Sequence, residues 1–105
     1  MSGIVPHRVV VPLVDACSSG QFSKMQSCVT DLMCRGYPAT ETLKTLSTLL
    51  LPSPSLRDVD KATVSITIAQ ASKFLVDGAD EELQVMNVAA GVVRAFQESR
   101  KAEGQ

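Results

Sequence analysis

His7 is the only histidine among 105 residues, and no cysteine or carboxylate stands at metal-ligand spacing from it. A lone imidazole so close to the chain start reads as a surface residue. The three cysteines, Cys17, Cys28 and Cys34, are odd in number and form no C-x-x-C pair. A thiol nucleophile would need a histidine base that this sequence can hardly supply, and an uneven set with no secretory signal ahead of it reads as reduced. Cys17 and Cys28 share helix sides with apolar residues and are expected to be core thiols. Asp80, Glu81 and Glu82 are adjacent, so their carboxylates fan out around a helix instead of converging on one substrate atom; the positive end of a helix dipole explains them better than acid/base chemistry. Asp58, Asp60 and Lys61 read as solvated charges at the start of another helix. No G-x-x-x-x-G-K-S/T run is present to cradle a triphosphate. The expectation is a chain with no catalytic residues, no cofactor and no metal.

If the chemistry is absent, the elements themselves must carry the function. Apolar residues make up 45% of the chain and charged residues 20%, the proportions of a globular protein, and the length suits one domain with one core. Ten basic against eleven acidic residues leave a net charge of -1, which gives no long-range field for nucleic acid or an anionic membrane. Val9-Val10-Val11 is flanked by Pro6, His7, Arg8 and Pro12, so neither a signal h-region nor a membrane span is expected.

Five segments carry helical periodicity. The first, about Pro6 to Ser18, places Val10, Leu13, Val14 and Cys17 on one side; Pro12 inside it predicts a kink or a late start. The second, Gln21 to Arg35, repeats Phe22, Met25, Val29 and Leu32, with Gly36 where a left-handed cap belongs. The third opens at Pro38 and repeats Ala39, Leu43, Leu46 and Leu50 before Pro52 and Pro54 stop it. Pro52 to Ser55 forms the longest loop, with nothing in it to join a core. The fourth, about Asp58 to Val76, has two apolar rows: Val64, Ile68, Ala71 and Leu75, and separately Ala62, Ile66 and Ala69. Its β-branched residues demand tertiary support. The fifth begins in Ala79 to Glu82 and runs to about Arg100, with 101–105 expected to fray. The stretches Ile4 to Val11 and Val64 to Ile68 have some strand character, but helix fits both better.

The fifth helix is too apolar for a single buried side. Its polar residues Gln84, Asn87, Gly91, Arg94 and Glu98 occupy a strip about 80° wide. Leu83, Met86, Ala90 and Val93 form one apolar face; Val85, Val88, Ala89, Val92 and Phe96 form another. Either this helix is central to its own bundle, or one face meets another subunit. On the second reading Val85, Val88, Val92 and Phe96 are the candidate subunit-interface residues, because exposing them would forgo about 1.5–3 kcal/mol each.

Several blocks resemble the carboxy-terminal collar domain of replication factor C small subunits, part of the eukaryotic sliding-clamp loader. They are Gly3-Ile4-Val5-Pro6, Ala16-Cys17-Ser18-Ser19-Gly20-Gln21-Phe22, Val29-Thr30-Asp31-Leu32 with Gly36-Tyr37, and above all Leu75-Val76-Asp77-Gly78-Ala79-Asp80-Glu81-Glu82-Leu83-Gln84. The resemblance runs from about Gly3 to Phe96. It implies an all-α, single five-helix bundle of the clamp-loader collar type, one domain over 1–105 with its core at about 5–100. It also implies an oligomerisation function: holding a pentameric loader together, in the nucleus, in replication and repair. The partners implied are other replication factor C subunits through their collar domains, with the sliding clamp and primed DNA reached only through the assembled complex and no membrane involved. The family's AAA+ ATPase module is not expected in this chain. Pro38, where the family often has a capping serine, and the Pro52–Pro54 loop depart from the family pattern.

A different class of function is a small helical DNA-binding domain, with the Gly36 corner as the turn of a helix-turn-helix. Its recognition helix, Pro38 to Leu50, would offer Lys44 as its one basic residue, poor material for phosphates or bases.

Overall fold

The computed structural model describes residues 5–104, and all regular structure in them is helical: α1 (His7–Ser19), α2 (Phe22–Cys34), α3 (Ala39–Leu50), α4 (Asp58–Val76) and α5 (Glu81–Glu103). The expected all-α five-helix bundle is the observed architecture. Gly3 and Ile4 of the first resembling block lie outside the described residues.

The helices end where the backbone chemistry says they should. Gly20 and Gly36 take positive φ, 75° and 84°, and each turn returns amide donors to the last carbonyls of the preceding helix. At the second, the Gly36 amide donates to the Met33 carbonyl at 3.1 Å and the Tyr37 amide to that of Leu32 at 3.4 Å. Helix α1 begins at His7 and runs through Pro12, so it does not start late. Pro12 is exposed, and water can satisfy the carbonyl that its missing amide leaves unpaired. Pro38 sits just before α3 with an extended backbone; its carbonyl accepts from the Thr42 amide at 2.9 Å and from the Thr42 hydroxyl at 2.8 Å. Asp80 caps α5, its carboxylate accepting from the Leu83 amide at 2.8 Å.

Helix α5 is the axis of the bundle. It packs on α1, α2, α3 and α4, whereas α2 and α4 flank it without forming a packed pair with each other. Its inward side supplies Val85, Val88, Ala89, Val92, Val93 and Phe96 to the core. These meet Val10, Leu13 and Cys17 of α1, Met25, Val29 and Leu32 of α2, and Leu43, Leu46 and Leu50 of α3 in one cluster. The rows read from α1, α2 and α3 are therefore core rows, except that Phe22 at the start of α2 is 47% exposed.

One expectation needs correction. The tail was expected to fray from Lys101, but α5 continues to Glu103, helped by a Lys101–Glu98 pair at 3.5 Å one turn apart. The loop Pro52 to Ser55 adds no buried residue, as expected; the residue that follows it, Leu56, is buried and anchors the approach to α4.

Candidate protein-interaction surface

Val85, Val88, Val92 and Phe96 are 0%, 1%, 0% and 4% exposed. The bundle's own helices cover them, so no partner can reach them while the domain is folded. Assigning them to a subunit interface is corrected on that ground: they are core side chains, and the intramolecular alternative describes them. The other face of the same helix is the more open one. Leu83 is 55% exposed, Met86 and Ala90 are half-buried, and Val93 alone is inside.

The broadest apolar surface lies on α4. This helix packs on α3 and α5 through Val64 and Ala71, with Ile68 and Leu75 partly buried. Its second row faces outward: Ala62 and Ala69 are exposed, and so are Val59 and Ile66, at 60% each, and Val76, at 86%. At 3.6 residues per turn, positions 59, 62, 66, 69 and 76 fall within an arc of about 100°. The run from Ala62 to Ser72 contains no charged residue. A solvated helix face normally alternates charges at this spacing. Most outward side chains here are small or β-branched, with Phe74, 52% exposed, standing up beside the row near its end. Charge depletion at the centre with charges at the rim, Asp58 at one end and Lys73 and Asp77 at the other, is the composition of a protein–protein contact.

Two apolar hollows lie elsewhere. Leu83 and Met86, with Asp80 and Glu82, line one at the start of α5; Gly20, Phe22, Ala90, Val93, Arg94 and Gln97 line the other, where the start of α2 meets α5. The two helices run antiparallel, since the Thr30 hydroxyl reaches the Glu82 carboxylate at 3.5 Å at the end far from Phe22.

The titratable groups are arranged for structure. Asp60, expected to be a solvated charge, is buried. Its carboxylate accepts from the Arg57 guanidinium at 2.7 and 3.3 Å and from the Ser99 hydroxyl at 2.6 Å, and Ser99 Oγ in turn accepts from the Arg57 amide at 3.1 Å. The Arg57 hydrogen bond, then that of Ser99, holds the Asp60 carboxyl below the usual carboxylate range. The network ties the entry of α4 to the last turns of α5. Sequence reasoning missed it, although the Arg57 to Asp60 spacing of three was a usable signal.

Cys17 is buried with its thiol 3.7 Å from the Ala89 carbonyl, and burial pushes it up to about 12. Burial also raises the half-buried Cys28, while Cys34 is exposed. Such thiols hold little thiolate at neutral pH in the first two cases. His7 is exposed and lies on no groove described above. Among the described residues no three His, Cys, Asp or Glu side chains gather in a metal-sized group, and no helix is long and apolar enough to cross a membrane.

The Gly36 corner gives little to the helix-turn-helix reading. Helices α2 and α3 do not form an extended packed pair; α3 spends its apolar row on α1, α4 and α5, and Lys44 pairs with Glu41 at 3.3 Å.

Comparison with known proteins gives a consistent picture. Residues 5–91 match the family described as the replication factor C C-terminal domain. The chain is 37% identical over 99 residues to replication factor C subunit 4 of Arabidopsis thaliana, covering 93% of this chain and 29% of that protein. It is 34% identical over 96 residues to replication factor C subunit 2 of rice, Oryza sativa subsp. japonica, covering 91% and 28%. With human replication factor C subunit 4 the identity is 30% over 99 residues, covering 94% and 27%. The chain thus spans under a third of the length of these curated relatives.

Proposed function

Because this chain belongs to the replication factor C C-terminal domain family, we propose that it works as an assembly domain of a clamp loader, with the outer face of α4 as its main contact with a neighbouring replication factor C subunit. The observation that carries this reading is the α4 face itself: an outward row of Val59, Ala62, Ile66, Ala69 and Val76 across a stretch without charge. Such a surface loses free energy in water and gains it on packing, roughly 25 cal/mol for each Å² of apolar area covered. Its share of the work is structural. Loading the sliding clamp onto primed DNA, and any ATP hydrolysis, belong on this reading to the assembled complex, which acts in the nucleus in replication and repair. The chain's near-neutral charge supports contact with DNA through the complex instead of directly.

Co-expression with tagged replication factor C small subunits, followed by affinity capture and light-scattering mass analysis, tests the proposal. A stoichiometric complex is expected, and Ile66→Glu should reduce its recovery at least tenfold while leaving helicity unchanged. A folded chain that is captured by none of the subunits would overturn it.

A further inference from the structure

The loop Pro52-Ser53-Pro54-Ser55 joins α3 to α4 and takes no part in the core or in the apolar face of α4. It carries the one serine or threonine of the chain that is followed by proline, Ser53. Among the described residues, Ser53 and Ser55 are also the only serines or threonines outside the five helices. That position matters to any enzyme that must draw a hydroxyl into its own cleft, because a helical serine has to be unwound first, at the cost of the backbone bonds of its turn.

The structure separates the two serines. Ser55 is followed by Leu56, which is fixed in the core, so a cleft that grips the residue after its acceptor would have to pull out a buried side chain. Ser53 is followed by Pro54, which is exposed, as is Pro52 before it; Ser53 itself is half-buried. Two weak bonds hold it: its amide donates to the Leu50 carbonyl at 3.1 Å, and its Oγ accepts from the Ser55 amide at 3.4 Å. Its hydroxyl proton is donated to nothing among the described residues, unlike those of Ser18, Thr48 and Ser99, each committed to a carbonyl or a carboxylate. Pro54 also disfavours the helical region for Ser53 and favours extended backbone, the shape in which a chain enters a kinase cleft. Leu50 and Leu56 anchor the loop at its two ends, leaving 51–55 to lift without disturbing a buried side chain. So short a span favours an enzyme that reads the acceptor and the residue next to it over one that reads charges several positions away. Pro54 has no amide to donate, which favours a cleft that asks for none there.

We propose that Ser53 is an acceptor for phosphoryl transfer from ATP by a proline-directed protein kinase. In the transfer, Ser53 Oγ attacks the γ-phosphorus of ATP and forms the new O–P bond while the bond from that phosphorus to the β–γ bridging oxygen breaks. ADP departs with the electron pair, and the hydroxyl proton passes to a carboxylate base of the kinase. The phosphoserine carries about −1.5 to −2 charge at neutral pH. The Ser55 amide, already aimed at Oγ, remains beside it as a donor to a phosphate oxygen. Because 51–55 bury no side chain, the added charge lies outside the core, and the site stands whether or not the α4 face meets a neighbouring subunit.

The test incubates the folded full chain with ATP, magnesium and either of two recombinant proline-directed kinases, a mitogen-activated one and a cyclin-dependent one. Mass spectrometry should find one phosphate per chain, located on Ser53. A synthetic peptide of residues 48–60 gives the rate for the same sequence without the fold, and the folded chain should come within about tenfold of it, since lifting 51–55 opens no core. Ser53→Ala should abolish incorporation. Pro54→Ala, with helicity confirmed by circular dichroism, should slow it by about tenfold or more, and Ser55→Ala should leave it unchanged. Modification of the peptide but not of the folded chain, phosphate found only on other residues, no phosphate from either kinase, or a rate indifferent to Pro54 would each overturn the inference.

Discussion

At the residue scale, the most consequential group is Asp60. It is buried, it is bonded to Arg57 and Ser99, and these bonds hold its carboxyl below the ordinary range. The folded state therefore binds a proton less readily than the unfolded state. The stability this supplies is present above the ordinary carboxylate pKa of about 4 and is lost as the pH falls through that value towards the lower folded one. Thermal melts between about pH 6 and pH 3 should accordingly show a steeper loss of Tm for the wild type than for Asp60→Asn. Ser99→Ala removes a hydroxyl that donates to Asp60 and accepts from the Arg57 amide, and should cost about 1–3 kcal/mol at neutral pH, measured by urea unfolding. Asp60 looks like a first-turn acid in the sequence, as Glu81 and Glu82 do. What sets it apart is a partner 39 residues away, and a long-range contact leaves no local pattern.

At the scale of elements, α4 and α5 exchange the roles that their composition suggests. Helix α5 buries one apolar side fully because four neighbours pack on it, leaving Leu83, Met86 and Ala90 partly open on the other, while α4 is apolar on two sides although only α3 and α5 cover it. Val92→Ala should therefore cost about 1.5–2 kcal/mol in urea unfolding, from two lost methyl groups in a filled core, whereas Ile66→Ala on α4 should change stability by less than about 0.5 kcal/mol. Gly91 supplies a further check. A Cβ there would meet the Thr67 methyl at 3.8 Å, an ordinary contact, so Gly91→Ala should stabilise the domain by about 1 kcal/mol through helix propensity, seen as a rise in Tm.

The five helices, their glycine ends and their core rows were legible because period and caps are local properties of the chain. So was the second row of α4. Which rows end up covered was not legible, because coverage depends on how many helices gather around each one. The two-sided composition of α5 thus points to a partner at Val85, Val88, Val92 and Phe96, whereas the row left uncovered is Ala62, Ile66 and Ala69 on α4.

At the scale of the molecule, the described residues extend 46 × 24 × 21 Å, with α5 as the common support for the other four helices. This architecture leaves α4 outermost on one flank, with the charge-free stretch of its outer face uncovered. A photoreactive benzoylphenylalanine in place of Ile66, in a chain co-expressed with replication factor C small subunits, reads the central claim most directly. The account predicts a crosslink to another subunit's carboxy-terminal domain from position 66 and none from the same label in place of Lys44, on the outer side of α3. Equal crosslinking from both positions, or none from position 66 in a complex that has assembled, would contradict it.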